Sequence, residues 1–334
     1  LPCGLWQRIH LGLLFAEMVN RDPTIADNLI LMRNILFIIN PISGARAKTG
    51  LRSLIDKKTG EQRIPYQVFP SVASGDYTFL KPIIEEQGVT DIVVAGGDGT
   101  VSQVVGHLLD TAVNFGIIPC GSGNGLAYTA GIPRNPAAAL DIIFSEKASA
   151  TDGFLLNDHF ACMLCGLGFD AKVAHDFAHQ PKRGLATYVR QVVRNFFSAQ
   201  SYSFELTVHD STFTTEAFFI SIANSNQFGN NFTIAPQASL SDGLIDVVIV
   251  TEQHKLSMLL HTFQQIRGKN KPQPDSMINK EKAVIYFQTE KLFIRNLSEA
   301  PLHIDGDPAE TPTSLDIQVR KKCFRLIQPL PDRK

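Results

Sequence analysis

The sequence predicts an α/β nucleotide-binding domain on a parallel sheet, joined to a second, mostly antiparallel β-rich domain of sandwich type. Three observations carry that expectation. Apolar strands alternate with amphipathic helices from Arg33 to Ser149, which is the order of an α/β unit. Three of those strands run straight into glycine-rich turns. After Ser149 alternating strands dominate and hairpin-type turns separate them, the pattern of antiparallel sheets. A chain of 334 residues is long enough for two such domains and too long for one ordinary core.

The elements follow in order. Ile35 to Ile39 is a continuous apolar run ending at Asn40-Pro-Ile-Ser-Gly44. Tyr66 to Phe69 is the second strand, and a helix runs through Tyr77 to Glu86. Ile92 to Ala95 is the third, ending at Gly96-Gly-Asp-Gly-Thr100, and the helix after it places Val101, Val104, Val105, Leu108 and Leu109 on one stripe. Gly116 to Ile118 leads into Cys120-Gly-Ser-Gly-Asn-Gly125, and Asn135-Pro136 caps and starts a helix to about Phe144. The later strands are expected at Glu205 to His209, Phe213 to Ala223, Leu244 to Val250, Val284 to Gln288, Leu292 to Arg295 and Leu302 to Ile304. Turns fall at Asn157-Asp158 and Asp210-Ser211, and helices at Leu185 to Phe197 and Leu256 to Arg267. The first domain is expected over 32–149, rejoined by 312–330, and the second over 150–311. The chain begins with Leu and Met32 directly precedes the first convincing strand, so residues 1–31 are expected to be an extension, from an upstream start or otherwise added.

Composition narrows the function classes. With 44% apolar and 19% charged residues the chain is a folding one, and a net charge of -1 provides no global field for nucleic acid or an anionic membrane. Arg320, Lys321, Lys322 and Arg325 form a local basic stretch that fits the solvent face of a strand. Five scattered cysteines point to a reducing compartment, hence the cytoplasm. Cys162 and Cys165 form a CxxC inside an apolar run; in a strand they face opposite sides, and they read as core residues. No apolar stretch reaches the length of a membrane span.

The chemistry concentrates in the turns at 40–44, 96–100 and 121–125. In a parallel sheet, loops at the carboxyl ends of the strands line one crevice, and glycines there let backbone N–H groups approach phosphate oxygens. A single such turn is ordinary; three in successive units indicate a phosphate site. Asp98 stands between glycines with no evident capping or core duty, and is placed to hold a nucleotide-bound magnesium ion. Neither a Walker-A loop nor a dinucleotide GxGxxG is present.

Asn40 to Gly44, Gly96 to Thr100 and Gly121-Ser-Gly-Asn-Gly-Leu-Ala127 resemble the three signature loops of the diacylglycerol kinase and sphingosine kinase catalytic domain, and the likeness extends to Asp307. The resemblance implies a first domain like that of NAD kinase and phosphofructokinase, with ATP and Mg2+ as cofactors. It implies transfer of the ATP γ-phosphate to a lipid hydroxyl at a membrane surface that the protein visits transiently; a homodimer is left open. Asn40, Pro41, Ser43 and Gly44 would wrap the phosphates with Gly97, Asp98, Gly99, Thr100 and Gln103, while Ser71, Ser122, Gly123 and Asn124 would contact the nucleotide. Ser239, Asp242 and Leu244 match a structural magnesium loop, although Asp242-Gly243 also reads as a plain hairpin turn. Asp307 matches the general base, shortened from the family's Glu, with Glu310 and Asp98 as the alternatives. Asp152 and Asp170 match active-site and head-group positions, and read equally as a turn residue and a helix N-cap. Gly125 and Gln103 replace carboxylates common in relatives. Two rivals follow: a kinase of the same fold acting on a soluble acceptor such as NAD, and a non-catalytic nucleotide- or lipid-binding protein.

Overall fold

The computed structural model describes residues 33–41, 50–145, 147–178, 195, 200–229, 232–251, 264–274 and 278–329. The expectations for residues 1–31, for Ser43 and Gly44, for the helix at 185–197 except Asn195, and for 256–263 of the helix at 256–267 lie outside these residues; Gln264 to Ile266 are helical.

The first half alternates strand and helix as β1 (Ile35–Ile39), α1 (Leu51–Gln62), β2 (Tyr66–Pro70), α2 (Leu80–Gln87), β3 (Asp91–Gly96), α3 (Asp98–His107), β4 (Asn114–Pro119), α4 (Gly125–Thr129) and α5 (Pro136–Ser145). Strands β2, β1, β3 and β4 lie side by side and parallel. Alternation within a strand divides the side chains between two faces: Leu36 and Ile38 enter one core with α2 and α3, Ile35 and Phe37 another with α1 and α5. Asn135 caps α5 as expected, its Oδ1 accepting from Ala137 N at 2.9 Å and Ala138 N at 3.2 Å. Helix α1 has no counterpart in the sequence reading. Its buried residues are only Leu51, Ile55 and Thr59, too sparse and too polar a stripe to declare itself.

The second half is built from β5 (Ala148–Leu156), β6 (His159–Ala161), β7 (Leu164–Gly168), α6 (Phe169–Ala178), β8 (Tyr202–Val208), β9 (Ser211–Ala223), β10 (Gln227–Gly229), β11 (Phe232–Thr233), β12 (Ile245–Thr251), β13 (Val284–Thr289), β14 (Lys291–Asn296), β15 (Leu302–Ile304), β16 (Asp307–Ala309) and β17 (Ser314–Ile327). These strands pair with one another antiparallel, and they enclose a core that includes Phe154, Phe204, Ile220, Val247, Phe287 and Ile317. The two halves share hydrogen-bonded edges. The long β17 pairs antiparallel with β14 and β5, and at Leu326 parallel with β4, so the sheet is continuous and mixed. The Asn157-Asp158 turn forms as read. The Asp210-Ser211 turn is displaced by one residue, to His209-Asp210, because His209 takes the left-handed conformation and Ser211 already pairs with Val208. Cys162 and Cys165 are core residues as read and are buried in different clusters, but Cys162 lies in the bend between β6 and β7 and not in a strand, so strand parity is not what separates them. No helix among the described residues is long and apolar enough to cross a membrane.

Candidate active site

The glycine loops converge at the carboxyl ends of β1, β3 and β4. Between β3 and α3, a Cβ built on Gly97 would lie 3.1 Å from Gly121 Cα, and one on Gly121 would lie 2.5 Å from Gly97 Cα. The second and third loops therefore touch backbone to backbone, and glycine is the only residue that permits it. Cys120 N donates to Gly96 O at 2.9 Å and fixes their register. Asn124 closes the third loop on itself: its Oδ1 accepts from Gly121 N at 2.8 Å and its Nδ2 donates to Gly121 O at 2.9 Å. Buried in this way, Asn124 shapes the loop, whereas Ser122 is exposed and Gly123 partly so.

From the first loop, Asn40 N donates to Ala95 O at 3.0 Å and its Nδ2 to Thr100 Oγ1 at 2.9 Å; Pro41 follows, exposed. Ser71 N donates to Ile39 O at 3.0 Å, and the Gln103 side chain packs 3.0 Å from where a Cβ on Gly75 would stand. Asn40, Ser71, Gly97 to Thr100, Gln103 and Gly121 to Asn124 thus form one neighbourhood.

Asp98 opens α3 and corrects the expectation that it has no capping duty. Its Oδ2 accepts from Gly125 N at 3.1 Å and its Oδ1 from Leu126 N at 3.2 Å, so it caps the start of α4 from another loop. Burial pushes its carboxyl up to about 6; the Asp305 charge adds to the rise, and N–H donors from Asn124 to Leu126 oppose it. The smallness of Gly125 has a steric cause: a Cβ there would lie 2.5 Å from Met163 Sδ and 2.6 Å from Gln227 O.

The β15–β16 hairpin brings a second carboxylate to the same loop. Asp305 and Gly306, at φ 48 and 86, make its two-residue turn, and Asp-Gly is the pair such a turn favours. The buried Asp305 accepts from Cys162 N at 3.1 Å, Met163 N at 3.0 Å and Leu164 N at 2.9 Å. Burial raises its pKa and these donors work against the rise. His303 is buried beside it. Gly306 N donates to His303 Nδ1 at 3.3 Å, which leaves the proton on Nε2, 3.4 Å from Asp170 Oδ2. Two residues after the turn base, Asp307 is exposed, and a Cβ on Gly99 would fall on its Oδ2. Glu310 lies beyond β16, also exposed.

Asp152 is a strand residue of β5, not a turn. Its fully buried carboxylate accepts from Gly243 N at 2.7 Å and Lys322 N at 2.6 Å, tying the 239–244 loop to β17. Within that loop Asp242 Oδ1 accepts from Leu244 N at 3.1 Å, and Ser241 N donates to Ser239 Oγ at 3.4 Å. Among the described residues no group of three or more His, Cys, Asp or Glu is arranged to hold a metal; the Ser239, Asp242 and Leu244 set has a single carboxylate. Asp170 opens α6 and is engaged by Ala171 N at 2.8 Å as well as by His303. Asn224, absent from the sequence reading, donates through Nδ2 to Asp152 O at 2.8 Å and Cys162 O at 3.0 Å. It joins the Asp152 region to the segment that holds Asp305. Its only signal in the sequence is a polar residue at the end of an apolar strand.

The diacylglycerol kinase catalytic domain matches residues 34–155, and the YegS C-terminal NAD kinase beta sandwich-like domain matches residues 164–328. The chain belongs to the diacylglycerol kinase and YegS-like lipid kinase family. It is 31% identical over 235 residues to a probable lipid kinase YegS-like protein of Pseudomonas aeruginosa, covering 68% of this chain and 74% of that one. It is 24% identical over 281 residues to the diacylglycerol kinase of Bacillus subtilis, covering 83% and 90%. A diacylglycerol kinase structure from Bacillus anthracis superposes with a TM-score of 0.66 at 19% identity over 89% of this chain and 97% of that one, a likeness of fold.

Proposed function

We propose that the protein transfers the γ-phosphate of ATP to the hydroxyl of a membrane lipid, with ATP on the loops of residues 32–149 and the lipid entering from residues 150–311. One observation carries the reading: the Asp307 carboxylate stands against Gly99, inside the loop that presents Asp98. Phosphoryl transfer asks mainly for positioning and charge neutralisation. In this assignment Asn40, Gly97 to Thr100 and Gln103 wrap the phosphates, with Ser71 and Ser122 to Asn124 at the nucleotide. Asp307 takes the proton of the attacking hydroxyl.

Magnesium would neutralise phosphate charge. Asp98 fits it, since its two carboxylate oxygens, which accept from Gly125 N and Leu126 N, keep lone pairs for a cation. Asp242, with the Ser239 and Leu244 carbonyls, would hold a second, structural ion. A protein of this kind works at the cytoplasmic membrane face and leaves it between turnovers.

The test is label transfer from γ-labelled ATP to micelles of diacylglycerol, a sphingoid base and a total lipid extract, with NAD as the soluble acceptor. Label in a lipid product is expected; label only in NAD, or none above background, overturns the reading. Asp307→Ala should lower turnover by about a hundred- to ten-thousand-fold with ATP affinity unchanged. Asp307→Glu should remain active, and Glu310→Ala should resemble wild type. A silent Asp307→Ala would move the base to Asp98.

A further inference from the structure

An enzyme acting on a bilayer lipid needs a means of staying at the bilayer, and the surface along β13 is where the described residues offer one. Segment 264–274 folds onto the outer edge of β13. Gly268 N donates to Gln265 O at 2.8 Å and Lys269 N to Gln264 O at 3.0 Å, ending a helical turn. The buried Gln265 Nε2 donates to Ile234 O at 2.8 Å. Further along, Gln273 N donates to Tyr286 O at 2.7 Å, and Gln273 Oε1 accepts from Asn279 N at 2.8 Å. Pinned at both ends, this wall leaves a groove of about 460 Å³ over Val284 and Tyr286.

The groove is lined by Lys269 and Lys271 on one side and Lys282 on the other, all exposed. None of the ion pairs among the described residues involves these three lysines. Gln273 Nε2, in the same wall, is a buried donor without a hydrogen-bond partner. The stretch 267–282 contains five basic residues against Asp275 and Glu281, in a chain whose net charge is -1. Donors and positive charge concentrated on one anchored groove complement a ligand that offers acceptors and negative charge.

We propose that this groove docks the phosphate headgroups of anionic lipids and so holds the protein at the membrane. The proposal rests on the lipid-kinase reading for its purpose, but its test does not use catalysis. Full-length protein is sedimented, without ATP, with vesicles of phosphatidylcholine alone or of equal parts phosphatidylcholine and phosphatidylglycerol, at low and high salt. Binding should require the anionic lipid and fall as salt screens it. Each lysine near an anionic surface is worth about fivefold in binding. A Lys269→Gln/Lys271→Gln/Lys282→Gln variant should therefore bind on the order of a hundredfold more weakly, and a Lys57→Gln/Lys147→Gln control should not change.

Turnover of the triple variant on a water-soluble short-chain diacylglycerol should equal wild type. Equal binding of triple variant and wild type, equal binding to neutral vesicles, or retention of inorganic phosphate in place of vesicles overturns the proposal. So does a short-chain turnover that falls with the vesicle binding, because the lysines would then serve the reaction itself. Failure of the kinase reading would instead appear as absent turnover with vesicle binding intact.

Discussion

The glycine loops and the β15–β16 hairpin meet at Gly99 and Asp307, yet they are held by opposite means. The loops are a backbone construction. Gly97 and Gly121 touch, Asn124 bonds a residue three positions away, and Asp98 is itself the link from one loop to the next. On the hairpin, side chains do the anchoring across long stretches of sequence: Asp305 reaches back to Cys162, Met163 and Leu164, and His303 to Asp170. The two carboxylates nearest the proposed reaction therefore differ in kind. Asp98 itself links two loops through the N–H groups of Gly125 and Leu126, whereas Asp307 follows a turn that is clamped by Asp305 and His303.

The largest effect should come from changing Asp98. Asp98→Asn keeps the volume and removes the charge, and turnover should fall by at least about a thousandfold. Its effect on stability has a definite sign. The folded carboxyl titrates at about 6 and the reference value is 3.8, so the folded state holds the proton more tightly in that window. The stabilisation linked to the proton is complete below about pH 3.8 and is lost as pH rises through about 6, by up to about 3 kcal/mol. Melting curves from pH 3.5 to 7.5 should show wild type losing stability relative to Asp98→Asn between about pH 3.8 and about 6, with a flat difference above that window. Wild type gaining stability relative to Asp98→Asn as pH rises would contradict the burial of Asp98.

The same contrast explains what was legible in the sequence. The loops are local, so 40–44, 96–100 and 121–125 could be read with their strands. The hairpin turn was visible as a motif, but not the role of Asp305, because its three donors lie 141 to 143 residues away. Asp152 looked like a turn residue beside a glycine. Gly153 is instead a close-packing position in β5, where a Cβ would lie 2.6 Å from the Phe160 ring. Nothing local indicates that Asp152 ties Gly243 to Lys322, and the continuity of the sheet through β17 is a pairing fact that no strand periodicity encodes.

Gly99→Ala sharpens the comparison from the loop side. Gly99 is in the first turn of α3, where alanine is favoured over glycine by up to about 1 kcal/mol. Its new methyl would fall on Asp307 Oδ2. The Asp307 carboxylate must then move, and displacements near 1 Å are enough to slow a positioned reaction about a hundredfold. The expected variant melts no lower than wild type and turns over about a hundredfold more slowly. Near-normal turnover would mean that the Asp307 carboxylate does not work from its place against Gly99.

Gly306→Ala tests the hairpin side and should have the smallest effect. Nothing lies within 4 Å of where its Cβ would stand, so no contact is disturbed. Its backbone, however, has φ 86, a conformation that an L side chain resists by roughly 1–2 kcal/mol. Alanine returns part of that by restricting the unfolded chain, about 0.4–1 kcal/mol, so the net loss should be near 1 kcal/mol. Because Asp305 and His303 still clamp the turn, Asp307 should stay in place and turnover should change by less than about threefold, roughly 0.6 kcal/mol in barrier. Gly99 would then be glycine for proximity and Gly306 glycine for conformation. The opposite pattern, a large loss of turnover in Gly306→Ala with little change in melting, would show that the turn itself moves during the reaction and that its side-chain anchors do not fix Asp307.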